Sequence, residues 1–212
     1  QKTAYEISTR DWSSDVCSSD LETREGTCRL CRRGGRDGDG IVVLGGYRGA
    51  LREAVLRAKR PAGRPVAAAL ARLLHDRRAD AIVTWGSDVV VPVPMHWWRR
   101  LLRGASSADV IAAGVAAAAG IPARRLLVRR RATVMQNRLP PERRPGNVQG
   151  AFALARGQVR GRKILLVDDV VTTGGTIAAC RRTLLDAGAA AVHVAVIARA
   201  DHGSDDGSPP GS

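Results

Sequence analysis

Aromatic side chains make up only 3% of this 212-residue chain, as four Trp, two Tyr and one Phe. So few rings weaken the case for a binding mode built on many base-stacking platforms. Lysine is scarce as well: of 34 basic residues only Lys2, Lys59 and Lys163 are Lys, and the other 31 are Arg. Long apolar runs are missing. Residues 110–123 come nearest, and Gly114, Gly120 and Pro122 interrupt them well short of the roughly 20 residues a membrane helix requires. Four cysteines, Cys17, Cys28, Cys31 and Cys180, are too few to staple a chain of this length, and no apolar signal segment precedes them. A reducing cytoplasm is therefore the expected compartment.

What is present is a globular composition, 44% hydrophobic and 25% charged, with a formal net charge of +14. Such a charge has two readings, solubility or an anionic partner such as a phosphorylated metabolite or nucleic acid. Residues 1–21 differ abruptly from the rest of the chain: they are Ser/Asp-rich, without helical or strand periodicity, and resemble a translated sequencing adapter. They carry Lys2 and Arg10 against four acids, so residues 22–212 carry +16. Residues 22–40 hold Cys28 and Cys31 in a CxxC within a Gly/Arg-rich stretch. Two readings stand for this pair: an incomplete zinc site, the remnant of a truncated zinc ribbon, or two exposed thiols in a loop.

Residues 41–200 alternate strand and helix signals. Residues 41–44 read as a strand, and a helix from Gly49 carries Leu51, Val55 and Leu56 up to Pro61. Val66, Leu70, Leu73 and Leu74 fall on one face of a second helix. The apolar runs 81–84 and 88–93 read as strands, the second lacking alternation as in a parallel strand buried on both faces. Ser106 or Ser107 caps an Ala-rich helix ending near Gly120. Further strands are expected at 126–128, 163–167 and 191–197, with a helix over 175–187. The polar, Pro-broken residues 129–150 are long for a structureless loop, a length usual for an active-site cover or a disordered segment, and 201–212 read as a disordered tail. The expected class is α/β, a mostly parallel sheet flanked by helices.

Chemistry concentrates in residues 164–176, ILLVDDVVTTGGT. An apolar strand ends in Asp168 and Asp169, and a turn rich in hydroxyls and glycine then opens a helix, the place where parallel α/β sheets bind ligands. Gly174 and Gly175 allow a tight turn, and free N–H groups at the helix start with Thr172, Thr173 and Thr176 suit a phosphate. Acids beside an anion site accept hydrogen bonds from sugar hydroxyls or help hold Mg²⁺. The turn is neither a GxxxxGK[ST] loop nor a dinucleotide G-x-G-x-x-G.

This stretch resembles the phosphoribosyl-pyrophosphate signature of type I phosphoribosyltransferases. The resemblance implies that Asp168 and Asp169 are catalytic and contact the ribose hydroxyls. It also implies that Val170, Val171, Thr172, Thr173, Gly174, Gly175 and Thr176 wrap the 5-phosphate. Within that superfamily the chain is similar to the ComF family, linked to DNA uptake in competent bacteria. The likeness rests on residues 47–60 and 91–104, and on Thr133, Gln136, Leu139, Arg144 and Asn147 at T-x2-Q-x2-L-x4-R-x2-N spacing. It implies a pyrophosphate-side loop with Pro94, Met95, His96, Arg99, Arg100 and Arg103, and a flexible cover over 129–150 bearing Gln136, Arg144 and Asn147. One departure stands out: the family's Arg-Gly-Phe-Asn-Gln is here Arg103-Gly104-Ala105-Ser106-Ser107, which removes an aromatic and two amides.

Smaller signals stay open. His96 reads as a general acid or base or as a structural residue, and Trp97 and Trp98 as base-stacking or packing groups. Arg129, Arg130 and Arg131 form a phosphate ladder or a solvated strand end, while Cys180 shares a helix face with Ile177 and Leu184 and belongs to the core. The resemblance implies binding of phosphoribosyl pyrophosphate with Mg²⁺ and transfer of the phosphoribosyl group to a nitrogen nucleophile. Its alternative is a non-enzymatic competence factor, peripheral to the uptake machinery, that binds single-stranded DNA and partner proteins.

Overall fold

The computed structural model describes residues 40–95, 106–130, 151–155 and 157–200. The sheet is built from β1 (Ile41–Gly46), β2 (Val89–Pro92), β5 (Lys163–Val171) and β6 (Ala191–Arg199), in the order β1-β6-β5-β2 with every pairing parallel. A short antiparallel pair, β3 (Leu127–Arg129) with β4 (Phe152–Leu154), stands apart from it. Among the described residues four α-helices accompany the sheets: α1 (Gly49–Ala58), α2 (Arg64–Thr84), α3 (Ser107–Ala119) and α4 (Gly175–Asp186).

Strand alternation divides the core into two layers. Leu165 and Val167 of β5, with Ala195 and Ile197 of β6, face Leu51 and Val55 of α1, Leu70 and Leu74 of α2, and Ile111 and Val115 of α3. Ile164 and Leu166, with Val192, Val194 and Val196, face Ile177, Cys180 and Leu184 of α4 and Phe152 of β4. Both faces of the sheet are thus covered, which is why the central strands read as continuous apolar runs. The expected α/β class and Cys180's place in the core hold.

Local chemistry sets the element ends. Ser106, not Ser107, caps α3: its hydroxyl accepts from the Asp109 N–H at 3.1 Å, and Asp109 Oδ2 accepts from the Ser106 N–H at 3.0 Å, a reciprocal capping box. Gly63 closes the 3-10 turn Pro61–Gly63 between α1 and α2, where a Cβ would lie 2.6 Å from the Ala58 carbonyl oxygen. A side chain is therefore excluded at position 63.

Residues 81–84, expected as a strand, are the last turn of α2. The helix is interrupted at Arg78 (φ −127°, ψ 19°), whose Nε donates to the Val43 carbonyl at 2.9 Å on the β1 edge, and it then resumes. Ile82 is buried while Val83 is 70% exposed, and Thr84 Oγ1 donates to the Asp80 carbonyl at 2.6 Å. Helical back-bonding thus prevails over the β-branched composition. Leu56 and Leu73 also differ from expectation, being exposed by 39% and 37%. The true apolar stripe of α2 is Ala67, Leu70, Ala71 and Leu74, half of it alanine. Among the described residues no helix is long and apolar enough to cross a membrane.

Candidate functional site

A cleft of about 840 Å³ opens at the carboxyl ends of β2 and β5. Val93, Pro94 and Met95 follow β2 into its wall, and Asp168, Asp169 and Val170 of β5 with Thr176 of α4 form another side. The corner between α1 and α2 contributes Ala58, Lys59, Arg60, Pro61 and Arg64, the start of α3 contributes Ser106, Ser107, Ala108 and Val110, and β3 contributes Arg129. Two acids and four basic residues therefore share one concave surface.

The acids are held inside the ladder rather than beyond it, because β5 runs on to Val171 and pairs Asp168 with Val196 of β6. Asp168 Oδ1 accepts from the Asp169 N–H at 2.8 Å. Burial, with the Asp169 charge adding to it, pushes the Asp168 carboxyl up to about 8, against a smaller pull from that N–H and from Lys59. Asp169 has both oxygens engaged: Oδ1 lies 3.4 Å from Lys59 Nζ, and Oδ2 accepts from the Ser107 hydroxyl.

The turn after β5 has the expected geometry in part. Gly174 caps α4 in the left-handed region (φ 73°, ψ −2°), which only glycine adopts without strain. Val170 and Thr176, at the two ends of the turn, line the cleft. Thr172 is exposed, Thr173 and Gly175 are half-buried, and Val171 is 3% exposed in the core with its carbonyl accepting from the Ala200 N–H at 2.8 Å. The Val171 side chain thus serves packing.

Pro94 and Met95 line the cleft. His96, Trp97, Trp98, Arg99, Arg100, Arg103, Gln136, Arg144, Asn147, Cys28 and Cys31 lie outside the described residues. Arg129 lines the cleft wall with its guanidinium 5.4 Å from the Phe152 ring centroid, whereas Arg130 is exposed. Of the two readings of the Arg run, Arg129 thus fits the cleft and Arg130 the solvated strand end.

Sequence reasoning did not assign Lys59, Arg60, Arg64 or Ser107 to a site. The usable signal was Lys59 itself, one of three Lys among 34 basic residues. Ser107 was visible only as the loss of an amide, yet its hydroxyl holds Asp169. Nearby, Asp109 anchors the α3 start: burial raises its carboxyl, but the Arg125 guanidinium at 2.9 Å and the bonds from Ser106 outweigh this and hold it below the usual carboxylate range. Among the described residues no group of three or more His, Cys, Asp or Glu gathers as a metal cage.

Comparison with known proteins gives a consistent picture. Residues 62–208 match the phosphoribosyl transferase domain family. The chain is 30% identical over 190 residues to competence protein F of Haemophilus influenzae, covering 87% of this chain and 83% of that protein. It is 33% identical over 165 residues to the DNA utilization protein YhgH of Escherichia coli K12, covering 75% of this chain and 71% of that one. Among solved structures it is similar to the allosteric regulatory enzyme of purine biosynthesis, at 26% identity and a TM-score of 0.48, over 69% of this chain and 30% of the enzyme. The family and sequence matches lead to one assignment: the chain belongs to the phosphoribosyltransferase domain family, as a ComF-like member.

Proposed function

We propose that the cleft binds phosphoribosyl pyrophosphate together with Mg²⁺ and that the protein transfers the phosphoribosyl group to a nitrogen nucleophile. One observation carries this reading: Asp168 and Asp169 share the cleft with Lys59, Arg60, Arg64 and Arg129. A purely anionic ligand has no use for two central acids, and a purely cationic one has none for four basic residues. A sugar bearing both hydroxyls and phosphates uses both sets.

In this reading Asp168 and Asp169 accept from the ribose hydroxyls, and the turn from Val170 to Thr176 receives the 5-phosphate at the α4 amino terminus. Lys59, Arg60, Arg64, Pro94, Met95 and Arg129 form the remaining walls. The nitrogen lone pair bonds to C1, the C1–O bond leaves with its electrons on diphosphate, and the nitrogen releases its proton. Positive charge grows on the sugar and negative charge on the leaving group, so the chain's own contribution is to orient both and to stabilise diphosphate with its cations.

The two carboxylates fit Mg²⁺ only as a partial ligand set, with substrate oxygens completing it, which is the usual way this ion binds. Burial disfavours the charged form of Asp168, and a cation in the cleft would favour it again. Asp168 and Asp169 are the residues that would hold the ion, which when bound neutralises diphosphate charge.

Calorimetric titration of the chain with phosphoribosyl pyrophosphate and Mg²⁺ tests this. Micromolar binding that disappears in the double variant Asp168→Asn, Asp169→Asn is the expected result, and equal binding by both proteins would overturn the site. A second reading draws on the relatives' names, competence protein F and DNA utilization protein, and on the net charge of +14. It makes the protein a binder of single-stranded DNA and uptake partners, and predicts affinity that falls steeply with salt and survives the double Asp substitution.

A further inference from the structure

Lys59 ends α1, where the chain turns through Pro61–Gly63 into α2. From that corner its ammonium reaches Asp169 on β5, with Nζ 3.4 Å from Oδ1; the Lys59 side chain is 39% exposed and that of Asp169 16%. The second oxygen of Asp169 accepts from the Ser107 hydroxyl on α3. Three elements therefore converge on one carboxylate, and both of its oxygens are occupied by the protein's own donors.

A ligand that engages Asp169 competes with these donors for its lone pairs. Ser107 sits in the first turn of α3, beside the Ser106 and Asp109 capping box, and its short side chain keeps the hydroxyl close to Asp169. Lys59 has a four-carbon stem, a compact charge and an exposed path, and a half-exposed ion pair is held weakly. Lys59 is the donor that yields. Its position also matters in a chain whose cations are nearly all Arg, since a guanidinium would grip the carboxylate with two parallel bonds where an ammonium holds it with one charge.

We propose that Lys59 is a displaceable counter-ion: it satisfies Asp169 while the cleft is free and moves to an anionic oxygen of the diphosphate when the sugar hydroxyls take Asp169. The proposal rests on the reading of the cleft as a phosphoribosyl-pyrophosphate site. It makes the cleft selective for ligands that carry hydroxyls and diphosphate on one molecule. Ribose 5-phosphate competes with Lys59 for Asp169 and offers no diphosphate to receive the ammonium. Phosphoribosyl pyrophosphate competes for the same carboxylate and supplies that oxygen.

The test is calorimetry of the full chain with Mg²⁺, comparing phosphoribosyl pyrophosphate with ribose 5-phosphate for wild type, Lys59→Met and Lys59→Arg. In Lys59→Met, phosphoribosyl pyrophosphate binding is expected to weaken about tenfold, the loss of one charge-assisted contact, while ribose 5-phosphate binding is unchanged or tighter. In Lys59→Arg, ribose 5-phosphate binding weakens, because the fork holds Asp169 more firmly. A residue with a merely structural role would not move two ligands in different directions. Parallel losses for both ligands in Lys59→Met, or unchanged phosphoribosyl pyrophosphate affinity, would overturn the counter-ion role and leave the cleft reading standing. Wild-type protein that binds neither ligand would overturn the cleft reading and this proposal together. Should Lys59→Met fail to give a cooperative thermal transition, Lys59→Arg decides: ribose 5-phosphate affinity equal to wild type refutes the proposal.

Discussion

Trp85 lies flat against His193, with ring centroids 4.7 Å apart and planes 5° from parallel. Trp85 follows α2 and His193 stands near the start of β6, so the stack closes the amino-terminal end of the sheet, opposite the cleft. Gly40 completes it, because a Cβ there would collide with the indole. Trp85→Ala is expected to cost about 3 kcal/mol, the low end for a large aromatic because this one is half-buried. Denaturant unfolding measures the loss, and ligand affinity at the opposite sheet end should stay within twofold, about 0.4 kcal/mol.

Ser106 offers a smaller and more local test. Its hydroxyl and backbone N–H close the capping box with Asp109, while the neighbouring Ser107 holds Asp169. Ser106→Ala should remove about 1 kcal/mol, seen as a fall of roughly 2–4 °C in Tm. Ser107→Ala should leave Tm nearly unchanged and alter ligand affinity instead. A reversed pattern would mean that the two serines have exchanged roles.

These two serines also show what the sequence could and could not convey. Residues 164–176 were legible because strand, turn and helix there are consecutive, so local pattern and site coincide. Lys59 and Asp169 are 110 positions apart, and only the parallel sheet brings the α1 corner to the end of β5. No local rule encodes that meeting. The apolar face of α2 was misjudged for a different reason: Ala67 and Ala71 carry half of it, and alanine gives little weight to a hydrophobic pattern. Residues 81–84 look β-branched, yet the helix that precedes them continues past Arg78 and includes them. Tertiary context outweighed propensity there.

Cys180 is fully buried, and burial pushes its thiol up, with the Asp168 charge adding and Arg129 opposing. A thiol that is neither exposed nor ionised does not react. Iodoacetamide at neutral pH should therefore leave Cys180 unmodified in the native chain and modify it fully in denaturant, as read by peptide mass. Labelling at equal rates in the two states would place the thiol outside the core.

The raised Asp168 carboxyl makes stability depend on pH. Its native value of about 8 lies above the unfolded value of about 3.9, so across that interval the native state keeps a proton that the unfolded state has released. The slope of unfolding free energy with pH is set by protons bound in the unfolded state minus those bound in the native one, which is negative here. Asp168 therefore makes the fold progressively less stable as pH rises from about 4 to about 8, and Asn at this position removes that contribution. In metal-free buffer the Tm of Asp168→Asn minus that of wild type should grow between about pH 5 and about pH 8, with all other titrating groups common to both proteins. A difference that stays constant over this range would show that the carboxyl is ionised throughout, and that the cleft solvates it better than its burial implies.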